Sequence, residues 1–397
     1  MDRPLRIGIT SYPTVGGSGI IATELGRSLA LRGHDVHFLC YDRPGWLDPV
    51  RDHVSFHRVP IPDYPLPHLS AYALALASQL AELSVTAQLD LIHLHYAIPH
   101  ATSAYLACQM LREQGLRPPR IITTLHGTDV TLVGSDPALL PVHRFALTHC
   151  DGLTTPSEFL RQTAYKQLGL PPSTAIEVIP NFVDSERFRP RDEATSRQAV
   201  LSRLLERPLD AAEAHSLRVL IHSSNFRPVK RIDDVLAVFG QVAKVVPAVL
   251  LLVGDGPERS RIESLTSQLG LAESVHFLGQ QHDFVAALQH SEVFLLPSVS
   301  EGFGLSALEA LSCGVPVVAT CVGGIPEVVE DGVTGTLCAV GDVAAMSEAV
   351  LRLVTEPGRH AQMAQAARLS VERNFQQDPL VSRYEQLFRE TLTEKSP

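Results

Sequence analysis

From residue 5 onward, short β-branched apolar runs alternate with longer stretches of helical periodicity. LRIGIT (5–10), HDVHFLC (34–40), LDLIHLHY (89–96), RIITTLHG (120–127), GLTTPS (152–157) and IEVIPN (176–181) read as strands. IIATELGRSLALRG (20–33), residues 71–87, ATSAYLACQMLREQG (101–115) and EFLRQTAYKQLG (158–169) read as helices. Continuous apolar strands separated by helices predict a parallel sheet covered on both faces. The pattern then breaks into a charge-rich stretch, RFRPRDEATSRQAVLSRLLERPLDAAEAHS (187–216), with a helix inside it. A second series follows, with RVLIHSS, AVLLLVGDG, VHFLG, EVFLLPS, PVVAT and TGTLCA as strands.

The expectation is therefore an α/β chain of two doubly wound, Rossmann-like domains: residues 1–182, a linker at 183–216, and residues 217–376. A last helical stretch, within 377–397, either extends the second domain or crosses back onto the first; the local pattern serves both. Sheets of this kind bind ligands at the carboxyl ends of their strands, so a ligand shared by both domains would lie in a central cleft.

Composition narrows the function. The 397 residues exceed what one core usually fills, and 45% apolar with 19% charged residues is the balance of an ordinary globular protein. A formal net charge of −10 argues against nucleic acid or an anionic membrane surface as the main partner and leaves small ligands open. Six cysteines without CxxC spacing fit a reduced, cytoplasmic chain better than a disulfide framework or zinc site. The start MDRPLRIGIT enters a strand pattern directly, and no apolar run reaches the roughly 18 residues of a membrane span.

Three stretches carry candidate chemistry. GGSG (16–19) follows the first strand and opens a helix, where free N–H groups and the helix dipole favour an anion; its spacing is not that of a dinucleotide fingerprint, and a simple tight turn is the alternative. EGFGLSALE (301–309) brackets a Gly-Phe-Gly turn with two carboxylates. A helix starting near Gly304 would aim the N–H groups of Gly304, Leu305 and Ser306 at a phosphate or sugar oxygen, with Glu301 in the loop before it and Glu309 one turn inside. Apolar flanks leave Glu309 little solvent. SNFRPVKR (224–231) places Arg227, Lys230 and Arg231 at a strand's carboxyl end, which suits a diphosphate. His93 and His95 share one strand face without a third ligand, so no metal is expected there.

The E-x7-E pair Glu301 and Glu309, with VGDGPE (253–258), SNFRPVKR and GGIPEVVEDGVTG (323–335) in the same order, resembles the family-4 retaining glycosyltransferases of GT-B fold. GITSYPTVGGSG, HLHYAIPHA, TTLHGTDVTLVGSDP and HRFAL resemble the branch that passes N-acetylglucosamine from UDP-GlcNAc to the hydroxyl of L-malate, the first step of bacillithiol formation. The likeness covers nearly the whole chain. It implies that Glu309 holds the ribose hydroxyls, Glu301 the transferred sugar, and Arg227 with Lys230 the diphosphate, Arg231 being an alternative to Arg227. It implies further that Gly17 approaches the diphosphate, that His126 lies beside the reacting sugar without acting as a base, and that Ser18, Tyr96, Thr128 and Arg144 hold the acceptor. No metal or other cofactor is implied. Gly302, where that branch suggests Ser, and the length of 191–216 depart from the pattern. Other acceptors, an inositol phosphate or a glycan, remain open within the fold; so do a non-catalytic nucleotide-sugar sensor and, on the paired carboxylates alone, a hydrolase. Whether the protein forms a homo-oligomer is also open.

Overall fold

The computed structural model describes residues 3–13, 16–45, 47–61, 71–131, 134, 136–192, 194–281 and 284–393. The chain divides into two compact units, one of residues 1–181 and 378–397 and one of residues 182–377.

In the first unit the strands are β1 (Arg6–Thr10), β2 (Asp35–Cys40), β3 (Ser55–Arg58), β4 (Leu91–His95), β5 (Arg120–Thr124), β6 (Gly152–Thr155) and β7 (Glu177–Val178). They form one parallel sheet in the order β3-β2-β1-β4-β5-β6-β7. In the second unit β8 (Arg218–Ser223), β9 (Ala248–Val253), β10 (Val275–Gly279), β11 (Val293–Leu296), β12 (Val317–Thr320) and β13 (Gly335–Cys338) form another, ordered β10-β9-β8-β11-β12-β13. All its pairings are parallel. Both orders reverse beside the first strand, at β1/β4 and β8/β11, and such switch points open a crevice at the strands' carboxyl ends.

The second sheet shows why its strands read as unbroken apolar runs. Val219, Ile221, Val249, Leu251, Phe294, Leu296, Val317 and Ala319 bury into one core, while Leu220, Leu250, Leu252, Val293, Leu295 and Val318 bury into another. Alternate side chains leave a strand on opposite faces, so a strand covered by helices on both sides has no polar face to show.

One expectation changes and one open choice is decided. Residues 183–216 are no linker: Leu201, Leu205, Leu209 and Ala214 are buried in a core of the second unit. Arg197 anchors the segment by donating to the carbonyls of Ala214, His290 and Leu217 and by pairing with Glu292 at 2.8 Å. Arg191, Asp192, Arg203, Glu206, Arg207 and Asp210 face outward while Leu201, Leu205 and Leu209, four residues apart, face in, as an amphipathic segment requires. The C-terminal helix, Gln377–Thr393, belongs to the first unit from Asp378 on. Leu380, Val381, Tyr384, Phe388 and Thr391 are its buried positions. Tyr384 and Phe388 pack their rings on His93 of β4, at 5.5 and 5.2 Å. A strand absent from the sequence reading, β3, lies at the sheet edge with its residues exposed or half-buried.

Candidate active site

In the second unit, the chain leaving β8 turns through Phe226, which is fully buried, and enters a 3-10 turn at Pro228–Lys230. The turn is tied to the loop after β11, because Val299 N–H donates to the Val229 carbonyl at 2.9 Å. This brings Lys230 to the EGFG turn. Lys230 Nζ lies 2.5 Å from Glu301 Oε1. Arg231, in the left-handed region at φ 49°, is held by Asp234 through two contacts of 2.6 and 2.9 Å. Its planar fork is thus already filled by a carboxylate three residues on. Arg227 is exposed, and no ion pair joins it to another described residue. Of the two arginines left open by the sequence, Arg227 is the one whose guanidinium is unoccupied.

Gly304 caps the helix Leu305–Ser312 at φ 98°, a conformation that disfavours any side chain but glycine's. The helix has no side-chain cap and no acid in its first turn. The N–H groups of Leu305 and Ser306, which have no intrahelical partners by geometry, therefore present a positive end. Glu309 is buried in this helix, 7% exposed. Burial pushes its carboxyl up from the usual 4.5 to about 8, with Arg187 opposing. Nearby, His222 is buried at the end of β8, sharing hydrogen bonds with the Leu295 carbonyl and Ser224 Oγ, both at 2.8 Å. Burial lowers its pKa to about 4, which keeps the ring neutral near pH 7.

In the first unit, Gly17 and Ser18 begin the helix Gly17–Leu31, which also lacks a side-chain cap and a first-turn acid. His126, Tyr96 and Thr128 come together where the chain leaves β4 and β5. The Tyr96 and Thr128 hydroxyls are hydrogen-bonded. Tyr96 holds φ at 89°, a strained value for a non-glycine residue. His126 Nε2 meets His95 Nδ1 at 3.0 Å, and burial lowers the His126 pKa to about 3. His93 in turn meets Thr124 Oγ1 at 2.8 Å. Each strand histidine thus engages one ring nitrogen with a neighbouring side chain and keeps the other buried without a hydrogen-bond partner among the described residues. Among the described residues no group of three or more His, Cys, Asp or Glu is placed to hold a metal ion.

Asp129, which sequence reasoning passed over, organises this end of the sheet. Its fully buried carboxylate accepts from the N–H groups of His126 (3.0 Å), Gly127 (2.8 Å) and Ala97 (3.2 Å), stitching the loop after β5 to the loop after β4. Burial raises its pKa and the three N–H donors pull it back. A fully buried carboxylate needs such donors, and the HGTD spacing places it to collect two of them. Arg144 is placed differently from the other acceptor candidates. Its Nε donates to the Leu168 carbonyl at 2.7 Å, at the carboxyl end of the helix Glu158–Leu168, where Gly169 turns left-handed at φ 59°. The guanidinium therefore caps a helix through one nitrogen.

Two open parallel sheets, each with an uncapped helix start at its switch-point end, have the architecture of the GT-B sugar-transferring enzymes, and likeness to known proteins makes this chain one of them. The description "Glycosyltransferase Family 4" matches residues 15–187 and "Glycosyl transferases group 1" matches residues 210–370. The chain is 41% identical over 388 residues to the N-acetyl-alpha-D-glucosaminyl L-malate synthase of Bacillus anthracis, across 98% of this chain and 97% of that one. A crystal structure of a glycosyltransferase from Rickettsia africae superposes with a TM-score of 0.81 at 17% identity, covering 99% of this chain and 100% of the other. Anabaena HepE in complex with UDP-glucose superposes with a TM-score of 0.77 at 21% identity, covering 98% and 99%. The chain belongs to the family-4 glycosyltransferases.

Proposed function

We propose that the protein transfers N-acetylglucosamine from UDP-GlcNAc to the hydroxyl of L-malate with retention of configuration, giving GlcNAc-α-malate, as the first step of bacillithiol biosynthesis in the cytoplasm. The observation that carries this reading is the near full-length identity to a synthase of that product. The donor side rests on the second unit: Arg227 and Lys230 beside an uncapped helix start, with Glu301 and Glu309 bracketing it. Arg227, Lys230 and the N–H groups of Gly304, Leu305 and Ser306 offset the charge that grows on the departing diphosphate, preorganised electrostatic work that requires no metal. Glu309 receives the ribose hydroxyls and Glu301 a hydroxyl of the sugar. In the first unit Gly17 serves the diphosphate, His126 the sugar, and Ser18, Tyr96, Thr128 and the two terminal nitrogens of Arg144 the malate.

In the reaction the bond from the anomeric carbon to the diphosphate oxygen breaks, and a bond from that carbon to the malate hydroxyl oxygen forms on the same face. The hydroxyl proton passes to the departing diphosphate oxygen, and UDP leaves. His126, neutral and engaged with His95, acts as a hydrogen-bonding partner rather than a base. The test is incubation with UDP-GlcNAc, with and without L-malate, and identification of the products by mass and anomeric configuration. An α-linked GlcNAc-malate formed only with malate is the expected result. Free N-acetylglucosamine without acceptor would make the protein a hydrolase, and donor binding without turnover under any acceptor would make it a sensor.

A further inference from the structure

The turn before the helix Leu305–Ser312 carries a hydroxyl that no step above uses. Ser298, two residues past β11, is fully buried. Its carbonyl accepts the Thr320 hydroxyl at 2.5 Å, and Thr320, the last residue of β12, is itself fully buried. With its main chain fixed in this way, Ser298 Oγ donates to Glu301 Oε1 at 2.8 Å. Lys230 Nζ approaches the same oxygen at 2.5 Å.

The main chain of Glu301 is fixed as firmly. Gly324 N–H donates to its carbonyl at 3.0 Å. A Cβ on Gly323 would stand 1.9 Å from that carbonyl oxygen, and one on Gly324 would stand 2.4 Å from the Gly302 carbonyl oxygen. Only glycine lets the GGIPE turn close against the EGFG turn, and the closed pair leaves Glu301 little freedom except in its side chain. That freedom is removed at Oε1.

Both donors therefore fall on one oxygen. A carboxylate offers about four lone-pair sites, two on each oxygen, and those of Oε1 are taken by Ser298 and Lys230. No described residue donates to Oε2. An anionic oxygen held in this state accepts and does not donate, so its complement is a hydroxyl and not a phosphate.

We propose that Ser298 is a positioning residue of the donor site: it fixes the Glu301 carboxylate so that Oε2 faces a hydroxyl of the transferred sugar, and keeps Oε1 hydrogen-bonded when Lys230 turns to the diphosphate. The inference rests on the transferase reading above and extends it to a residue outside direct contact with the ligand. UDP, which lacks the sugar, does not sense Ser298; the sugar nucleotide does.

The test compares wild type, Ser298→Ala and Ser298→Thr in calorimetric affinity for UDP and for UDP-GlcNAc, in kcat and KM, and in Tm. For Ser298→Ala the expected result is a UDP affinity within about twofold of wild type, with a fall of about tenfold or more in UDP-GlcNAc affinity or in kcat. Ser298→Thr, which keeps the hydroxyl, recovers most of that loss. A Ser298→Ala protein with UDP-GlcNAc affinity and kcat/KM within about twofold of wild type overturns the proposal. A parallel fall in both affinities with a lowered Tm also overturns it, because Ser298 is then only packing. Wild-type protein that binds neither ligand overturns the transferase reading, and this inference with it.

Discussion

Glu309 gives the sharpest pH prediction. Its carboxyl is buried with no hydrogen-bond donor among the described residues, and burial raises its pKa from 4.5 to about 8. The raised value sets the sign: the stabilising contribution of the neutral carboxyl is complete below about pH 4.5 and is lost as pH climbs through about 8. The full loss is at most roughly 5 kcal/mol, from about 1.4 kcal/mol for each pH step. Ribose hydroxyls donate best to the ionised form, at roughly 1.5–3 kcal/mol for a hydrogen bond to a charged group. At pH 6.5, ionising Glu309 costs roughly 2 kcal/mol, which nearly offsets that gain. Wild type should therefore bind UDP-GlcNAc about tenfold to a hundredfold more tightly than Glu309→Gln at pH 8.5, and only about as tightly at pH 6.5. UDP-GlcNAc is the right probe because its diphosphate has no terminal phosphate to titrate in this window. The buried histidines near the two sites, His222 at about 4 and His126 at about 3, do not change charge there either. Calorimetry at both pH values, in buffers of different ionisation enthalpy, measures the affinity and the proton released. A wild-type affinity independent of pH, or an equal loss in Glu309→Gln at both values, would refute the reasoning.

Two further outcomes follow from the same geometry. Turnover should survive excess EDTA, since Arg227, Lys230 and a helix start supply the charge that a metal would; complete loss restored by magnesium or manganese would sink this. Arg144→Ala should raise the KM for malate strongly and leave UDP affinity nearly untouched, with Arg144→Lys recovering part. Because Arg144 also caps the Leu168 carbonyl, a Tm drop corresponding to about 1 kcal/mol is expected as well. A Tm drop without any change in the malate constant would leave Arg144 a purely structural cap.

Most of the fold was legible because parallel strands buried on both faces have to be largely apolar, and the inner strands of the second sheet, in RVLIHSS, AVLLLVGDG, EVFLLPS and PVVAT, carry that mark. The edge strand β3, SFHR, does not, since one neighbour and partial exposure place little apolar demand on it. The segment 183–216 misled for a related reason: its charge was visible, but Leu201, Leu205 and Leu209 bury in a core shared with residues far along the chain, such as Leu308 and Val371. At the site, apolar flanks did foretell the burial of Glu309. The side of the fold taken by the C-terminal helix was hidden, because its apolar stripe fits any sheet face until His93 meets Tyr384 and Phe388. So were Asp129 and Ser298, whose roles lie in what they touch: backbone N–H groups of a second loop in one case, a single oxygen of Glu301 in the other.

The cations of the donor site bear on how its two ends communicate. Lys230 is paired with Glu301 and Arg231 with Asp234, so a chain of net charge −10 keeps most of this positive patch internally compensated. On the donor site proposed above, a diphosphate meets Arg227 as the ready guanidinium and has to draw Lys230 off Glu301 for the rest. UDP alone leaves Lys230 on Glu301, because drawing it off would leave the largely buried carboxylate with only the Ser298 hydroxyl, and a half-compensated buried charge is costly. UDP-GlcNAc offers a sugar hydroxyl to Oε2 at the same moment and relieves that cost. The sugar therefore strengthens the hold on the diphosphate through the shared Lys230–Glu301 pair, beyond the contacts the sugar makes itself. Once the sugar has left on malate, the same pair re-forms and favours release of UDP.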